Sequence, residues 1–167
     1  AEQVRLCVLL TQWADPASTF WTATDPIAPS ALAGAMRKRR GVKAGVPDTL
    51  LWSLHTLPIG IEMKSPDGRC SHAQRSVRQA MLRAGCEWWE CRSANAAMWA
   101  LAKSGVQFRT IRHSDGTVET WRQPALQDWE LPRSNPAHRR PGHPDVRERR
   151  RAERQRWRER QRPREAA

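Results

Sequence analysis

Two short runs decide how this chain folds: Gly45-Val46-Pro47-Asp48-Thr49-Leu50-Leu51-Trp52 and, after residues 53–58, Ile59-Gly60-Ile61-Glu62-Met63-Lys64-Ser65-Pro66-Asp67-Gly68. The second alternates over residues 59–64. In a strand, Ile59, Ile61 and Met63 face one side, and Gly60, Glu62 and Lys64 face the other. A carboxylate and an ammonium then stand two residues apart on one face, about 6.6 Å along the strand at ~3.3 Å per residue. Asp48 opens the preceding run, which is apolar after its first residue, as a buried strand is. If the two strands are neighbours, Asp48 and Glu62 converge. Two hard oxygen donors beside an ammonium suit a Mg²⁺ site next to a phosphate. Gly45 allows a tight backbone beside that site, and Pro47 fixes the entry into the strand.

Working outward, Ser65-Pro66-Asp67-Gly68 is a turn by composition, so Asp67 reads as a turn residue rather than a third ligand. Ser71-His72-Ala73-Gln74 fits a capping box that opens a helix over residues 72–84, with Gly85 just past its end. Residues 86–92 (Cys-Glu-Trp-Trp-Glu-Cys-Arg) read as a strand. Ser93 caps a helix to about residue 103, with Ala97, Met98 and Leu101 inward and Gly105 ending it. Trp88, Trp89 and Trp99 read as packing residues. On the other side, residues 2–13 read as a helix with an apolar stripe of Val4, Cys7 and Val8, joined by Leu9 or Leu10. Residues 18–23 read as a strand, residues 25–30 as a loop, and residues 31–38 as a helix capped by Ser30. That helix runs out into Arg37-Lys38-Arg39-Arg40, with Lys43 following. Cations suit a helix C-terminus, but four in a row exceed what one dipole needs. Because they lead into the Pro47-Asp48 turn, Arg37, Lys38, Arg39, Arg40 and Lys43 read as a phosphate-gripping patch beside the site.

The order of elements, α–β–α–β–β–α–β–α, suits an α/β fold with a mixed sheet flanked by helices. Residues 1–105 form the expected core. Residues 106–131 add a hairpin, signalled by Asp115-Gly116 between alternating runs. Residues 132–167 form a tail rich in Pro and Arg, either disordered or a solvated helix, since Trp157 is the only large apolar residue of its Arg/Glu-dense stretch over 145–162.

The chain is 167 residues long, 39% hydrophobic, with a mean hydropathy of −0.76 and a net charge of +12. The tail explains much of that bias: residues 132–167 hold 13 Arg against five acids, +8 of the total. So basic a chain points to a polyanionic partner, and no apolar face accompanies the charge to suggest a membrane surface. No run reaches membrane-spanning length, and residues 6–10 lack the flanks of a signal peptide. Cys7, Cys70, Cys86 and Cys91 form no CxxC and no zinc spacing. They read as reduced thiols in a cytoplasmic setting, in a bacterium or a phage-infected host cell.

Pro47-Asp48 followed by Glu62-x-Lys64 resembles the PD-(D/E)XK nuclease superfamily. The wider pattern runs Lys38-Arg39-Arg40-Gly41-Val42-Lys43-Ala44-Gly45-Val46-Pro47-Asp48, then Glu62-Met63-Lys64, then Gly68-Arg69-Cys70-Ser71-x-x-Gln74. It is similar to the VRR-Nuc family, common in phage genomes and related to Holliday junction resolvases, over about residues 2–104. The resemblance implies a restriction-endonuclease-like core and an endonuclease that hydrolyses DNA at branched structures such as four-way junctions, working as a homodimer. It implies that Asp48, Glu62 and the backbone carbonyl of Met63 hold Mg²⁺ or Mn²⁺, and that Lys64 orients or helps deprotonate the attacking water. It also implies places at the site for Gln74 and for Glu2, an acid whose other reading is favourable placement in the first turn of a helix dipole. Three other readings stand beside this one: a non-catalytic DNA-binding protein on a nuclease fold, a basic RNA-binding protein, and a nuclease acting on linear or nicked duplex. The first conflicts with an intact Asp48, Glu62 and Lys64 set. The second explains the tail but not the apolar strands with paired acids at one edge.

Overall fold

The alternation of residues 59–64 is realised as β3 (Ile59–Met63), the third strand of the main sheet. The computed structural model describes residues 2–24, 30–54 and 56–134. Its elements before β3 are α1 (Glu2–Trp13), β1 (Thr19–Ala23), α2 (Ala31–Arg39) and β2 (Thr49–Ser53). After β3 come α3 (His72–Arg83), β4 (Glu87–Cys91), α4 (Ala94–Ser104), β5 (Thr110–Arg112), β6 (Val118–Thr120), a single 3₁₀ turn (Asp128–Glu130) and β7 (Arg133–Ser134). The sheet order is β1-β2-β3-β4-β7: four full strands and a two-residue edge strand. β1, β2 and β3 are antiparallel neighbours, β3 and β4 are parallel, and β7 closes antiparallel on β4. This is the expected α/β fold, a mixed sheet flanked by helices in the restriction-endonuclease-like manner. β5 and β6 make a separate ribbon whose turn carries Gly116 at φ 85°, as Asp115-Gly116 predicts.

The two faces of β3 have different neighbours. Ile59 and Ile61 are fully buried in one cluster with Leu51 of β2, Leu6 and Leu10 of α1, and Ala97, Met98 and Leu101 of α4. The helix α4 is alanine-rich on its inner side: Ala94, Ala96, Ala97 and Ala100 are all fully buried, and their small side chains let the helix lie close to its neighbours. Gly60 and Glu62 look the other way, toward α3. A Cβ added at Gly60 would stand 2.9 Å from the Pro47 ring and 3.0 Å from the Met81 side chain. Trp88 is buried, and Trp89 meets Trp99 edge to face at 6.5 Å, so the tryptophans pack as expected.

One part of the sequence reading is corrected. The inward stripe of α1 is Leu6, Leu10 and Trp13, spaced i, i+4, i+7, while Val4 and Val8 are 67% and 59% exposed. Both stripes satisfy helical spacing, and only the position of α4 decides between them. The last strand also falls at residues 133–134, inside the stretch assigned to the tail. The chain divides into two units, Ala1–Asn135 and Pro136–Ala167; the second, with its Arg-dense stretch, and the loop at residues 25–29 lie outside the described residues.

The burial pattern predicts the outcome of two substitutions in α1. Leu10→Ala removes a side chain that is 1% exposed and costs about 2–5 kcal/mol in urea unfolding, whereas Val8→Ala changes stability by less than about 0.5 kcal/mol.

Candidate active site

Asp48 is placed by backbone contacts that the sequence does not announce. Its carbonyl accepts from Thr24 N at 2.8 Å and from Gln3 Nε2 at 3.2 Å, while the hydroxyl of Thr24 donates to the carbonyl of Pro47. α1 and the end of β1 therefore hold the strand entry from behind. On the other side, the loop before Pro47 rests on α3. Gly45 sits at φ +85°, and a Cβ there would fall 2.4 Å from the backbone carbon of Ala73 and 2.6 Å from the nitrogen of Gln74. Only glycine permits that approach, and it ties the Pro47-Asp48 turn to the first turn of α3.

With the entry fixed, the Asp48 side chain reaches β3: its Oδ2 accepts from the backbone N–H of Met63 at 2.7 Å. Glu62 is 1% exposed. Its Oε1 is paired with Lys64 Nζ at 2.7 Å and accepts from the side-chain amide of Gln74. Gln74 Oε1 in turn accepts from Lys64 Nζ at 3.0 Å and from Ser71 N at 2.8 Å. The capping box and the place at the site are thus one arrangement: the carbonyl oxygen that caps α3 also steadies Lys64. The structure brings Asp48, Glu62, Lys64 and Gln74 together around the end of β3.

The second oxygen of Glu62, Oε2, is buried and has no hydrogen-bond partner among the described residues. Thr49 Oγ1, Thr56 Oγ1 and Trp88 Nε1 share that status, but Glu62 is the only carboxylate among them. Burial pushes its carboxyl up from the usual 4.5 to about 7, while the hydrogen bond from Lys64 pulls the other way and the nearby charge of Asp48 adds to the rise. Asp48 is raised by burial as well, against its bond to Met63 and the charge of Lys64. Two carboxylates that are costly to ionise, one with a free buried oxygen, suit a divalent cation, whose charge would offset the desolvation. Among the described residues no group of three or more His, Cys, Asp or Glu is arranged to hold a metal. Two carboxylates alone would suit a small hard cation that keeps several waters when bound.

Glu2 and the basic run are placed differently. The carboxylate of Glu2 accepts from Ala94 N at 2.8 Å, at the first turn of α4. Its neighbour Gln3, which sequence reasoning passed over, is the residue that reaches Asp48. Lys38, Arg39, Arg40 and Lys43 are exposed at the end of α2 and in the loop that leads to Gly45; the side chain of Arg37 lies outside the described residues.

Glu90 was also missed. It stands opposite Glu62 across the parallel β3–β4 pair, is 6% exposed, accepts from Cys70 Sγ at 3.1 Å and lies 3.4 Å from Arg92. Nothing local marked it, because its position follows from the register of two strands far apart in sequence. Beside these acids the Cys70 thiol is pushed up to about 11, chiefly by burial, and the described chain holds all four cysteines as free thiols.

An α/β sheet that brings an aspartate at a strand entry together with Glu-x-Lys on the next strand is the framework of the PD-(D/E)XK nucleases. The sequence model of the VRR-NUC domain matches residues 2–95, more than half of the chain, and the protein belongs to that family. No curated protein and no solved structure matches the chain. Family membership gives it a nuclease-type, DNA-processing function, within a superfamily that generally uses divalent metals. Among the described residues no helix is long and apolar enough to cross a membrane.

The raised carboxyl of Glu62 gives a pH dependence with a definite sign. The folded state holds this proton up to about pH 7, the unfolded chain only to about 4.5, so the contribution is fully present at low pH and is lost as pH rises through 7. Asp48 acts in the same direction. In EDTA the melting temperature is expected to fall between about pH 5 and about pH 8, and Glu62→Gln should flatten that fall. Added Mg²⁺ at the upper pH should raise the melting temperature of the wild type and not of the variant.

Proposed function

We propose that this protein is a metal-dependent endonuclease that hydrolyses DNA phosphodiester bonds, with branched or four-way junction DNA as its preferred substrate. The observation that carries the reading is the buried, unpartnered oxygen of Glu62, one strand from Asp48 and within a salt bridge of Lys64. In this reading Asp48, Glu62 and the backbone carbonyl of Met63 hold Mg²⁺ or Mn²⁺. When bound, the ion supplies Lewis-acid activation of water and charge neutralisation at the phosphate.

The chain's own residues do the rest. Lys64 lies against Glu62 and Gln74, so its ammonium is aimed by two fixed acceptors rather than by its flexible stem. It orients or helps deprotonate the attacking water and balances the charge that builds on the phosphoryl oxygens. Gln74 holds both Lys64 and Glu62 in place from the rigid first turn of α3. Glu2 acts at a distance, fixing the start of α1 to α4 so that Gln3 can hold Asp48. Arg37, Lys38, Arg39, Arg40 and Lys43 grip phosphates flanking the scissile one, and the Arg-rich tail adds sequence-independent affinity. A homodimer fits a junction because one site cuts one strand and symmetric resolution takes two.

Lys64→Ala should lower cleavage by at least about 100-fold while leaving DNA affinity within about twofold. Gel assays with Mg²⁺, Mn²⁺ or EDTA on a labelled four-way junction and its matched linear duplex test the substrate. Metal-dependent cuts confined to the junction are expected. Equal cutting of both would keep the chemistry and remove the junction preference. Binding without cutting in either metal would leave a non-catalytic DNA binder on a nuclease fold. Deleting residues 136–167 should lower affinity for any duplex and flatten its salt dependence, and an unchanged slope would contradict the tail's role.

A further inference from the structure

Beside the active site, and built mostly from residues beyond the VRR-NUC match, lies a pocket of about 450 Å³ lined by Pro66, Arg92, Asp128, Trp129, Leu131 and Arg133. Its wall is held in place by specific bonds. The side chain of Glu130 accepts from Ser93 Oγ at 2.7 Å with one oxygen and from Gln127 N at 3.1 Å with the other, pinning the 3₁₀ turn to the loop between β4 and α4. β7 then pairs with β4, Arg133 opposite Glu90. Arg92 forms the floor: its side chain is 8% exposed, its Nε donates to the Pro66 carbonyl at 2.9 Å, and it pairs with Glu90. Trp129 remains 51% exposed, its indole N–H donating to Gln127 Oε1 at 2.6 Å.

About half of the indole surface is left open to solvent. It combines with an arginine at the rim, a carboxylate and an apolar wall. That is the chemistry that holds an unpaired nucleobase: an aromatic face to stack on, an acceptor for an exocyclic amine, and a cation for the adjoining phosphate. The location agrees. Pro66 is two residues past Lys64, and Glu62, Glu90 and Arg133 stand in one row across β3, β4 and β7. The pocket wall is therefore about two strand spacings, roughly 10 Å, from Glu62.

We propose that this pocket is a base-stacking subsite that takes an unpaired nucleobase of the DNA substrate next to the scissile phosphate. Trp129 is the stacking platform, Asp128 accepts from the base, and Arg133 holds the neighbouring phosphate. The inference rests on the reading of the protein as a DNA-processing nuclease, and it favours gapped or flapped DNA over fully paired duplex, because only an unpaired stretch offers a base free to enter; a four-way junction, whose arms are fully paired, gains from the subsite only where a pair opens at its centre.

The test is fluorescence anisotropy with the full chain in EDTA, so that cleavage plays no part. Two labelled probes are used: a duplex interrupted by a short single-stranded run of deoxyadenosines, and the same duplex fully paired. The wild type should bind the gapped probe about tenfold more tightly, the size of one stacked base. Trp129→Ala and Trp129→Leu should lose that preference, and Trp129→Phe should keep most of it. A wild type that binds both probes equally, or a Trp129→Leu variant that keeps the preference, overturns the proposal. So does an equal loss on both probes, with a lowered melting temperature, which would assign Trp129 to holding the fold. A base preference that persists in a protein unable to cut with Mg²⁺ or Mn²⁺ would uphold the subsite and reject the nuclease activity, so the two claims fail separately.

Discussion

One buried carboxylate constrains the rest of this structure. Glu62 lies on β3, the middle strand of the five-stranded sheet, with one oxygen satisfied by Lys64 and Gln74 and the other without a hydrogen-bond partner among the described residues. Burying an ionisable group without full compensation is costly, and such groups are kept where their reactivity is used. The surroundings of Glu62 are arranged to tolerate the cost rather than to remove it. The lysine two residues on and the glutamine at the start of α3 bond to it, and Asp48, at the entry to the neighbouring strand β2, binds the backbone of Met63 beside it.

That anchoring explains why features distant in sequence act as one unit. Gly45 presses the strand-entry loop onto the backbone of Ala73 and Gln74, so the position of Asp48 and the position of Gln74 are set together. Gln3 and Thr24 hold the carbonyl of Asp48 from the opposite side. α1 is in turn fixed by packing Leu6, Leu10 and Trp13 into the shared core and by the bond from Ala94 to Glu2. The core therefore supports the site through short, rigid connections, which is what holding charged groups in reactive geometry demands.

Much of this was legible in the sequence because local chemistry and the tertiary result agree. The alternation of residues 59–64 gave both faces of β3 correctly, Ser71 and Gln74 marked the start of α3, and Gly105 ended α4 in the left-handed conformation its φ of 93° requires. The misses share a cause. The stripe of α1 was ambiguous because Val4 and Val8 fit helical spacing as well as Leu6 and Leu10 do, and only contact with α4 selects the latter. Glu90, Gln3 and the pairing of residues 133–134 with β4 depend on strand order and register, which local pattern does not encode. The carboxylate of Glu2 turns to the start of α4, a contact that local pattern does not encode.

In the function proposed above, the free oxygen of Glu62 is a metal ligand. The most direct measurement is anomalous diffraction from crystals of the full chain grown with DNA and Mn²⁺. A single strong peak is expected within coordination distance of Glu62 Oε2 and of the Asp48 carboxylate, about 2.0–2.3 Å for a hard cation on oxygen. A well-ordered Glu62 and Asp48 beside bound DNA, with no peak between them or with Mn²⁺ held elsewhere, would contradict it.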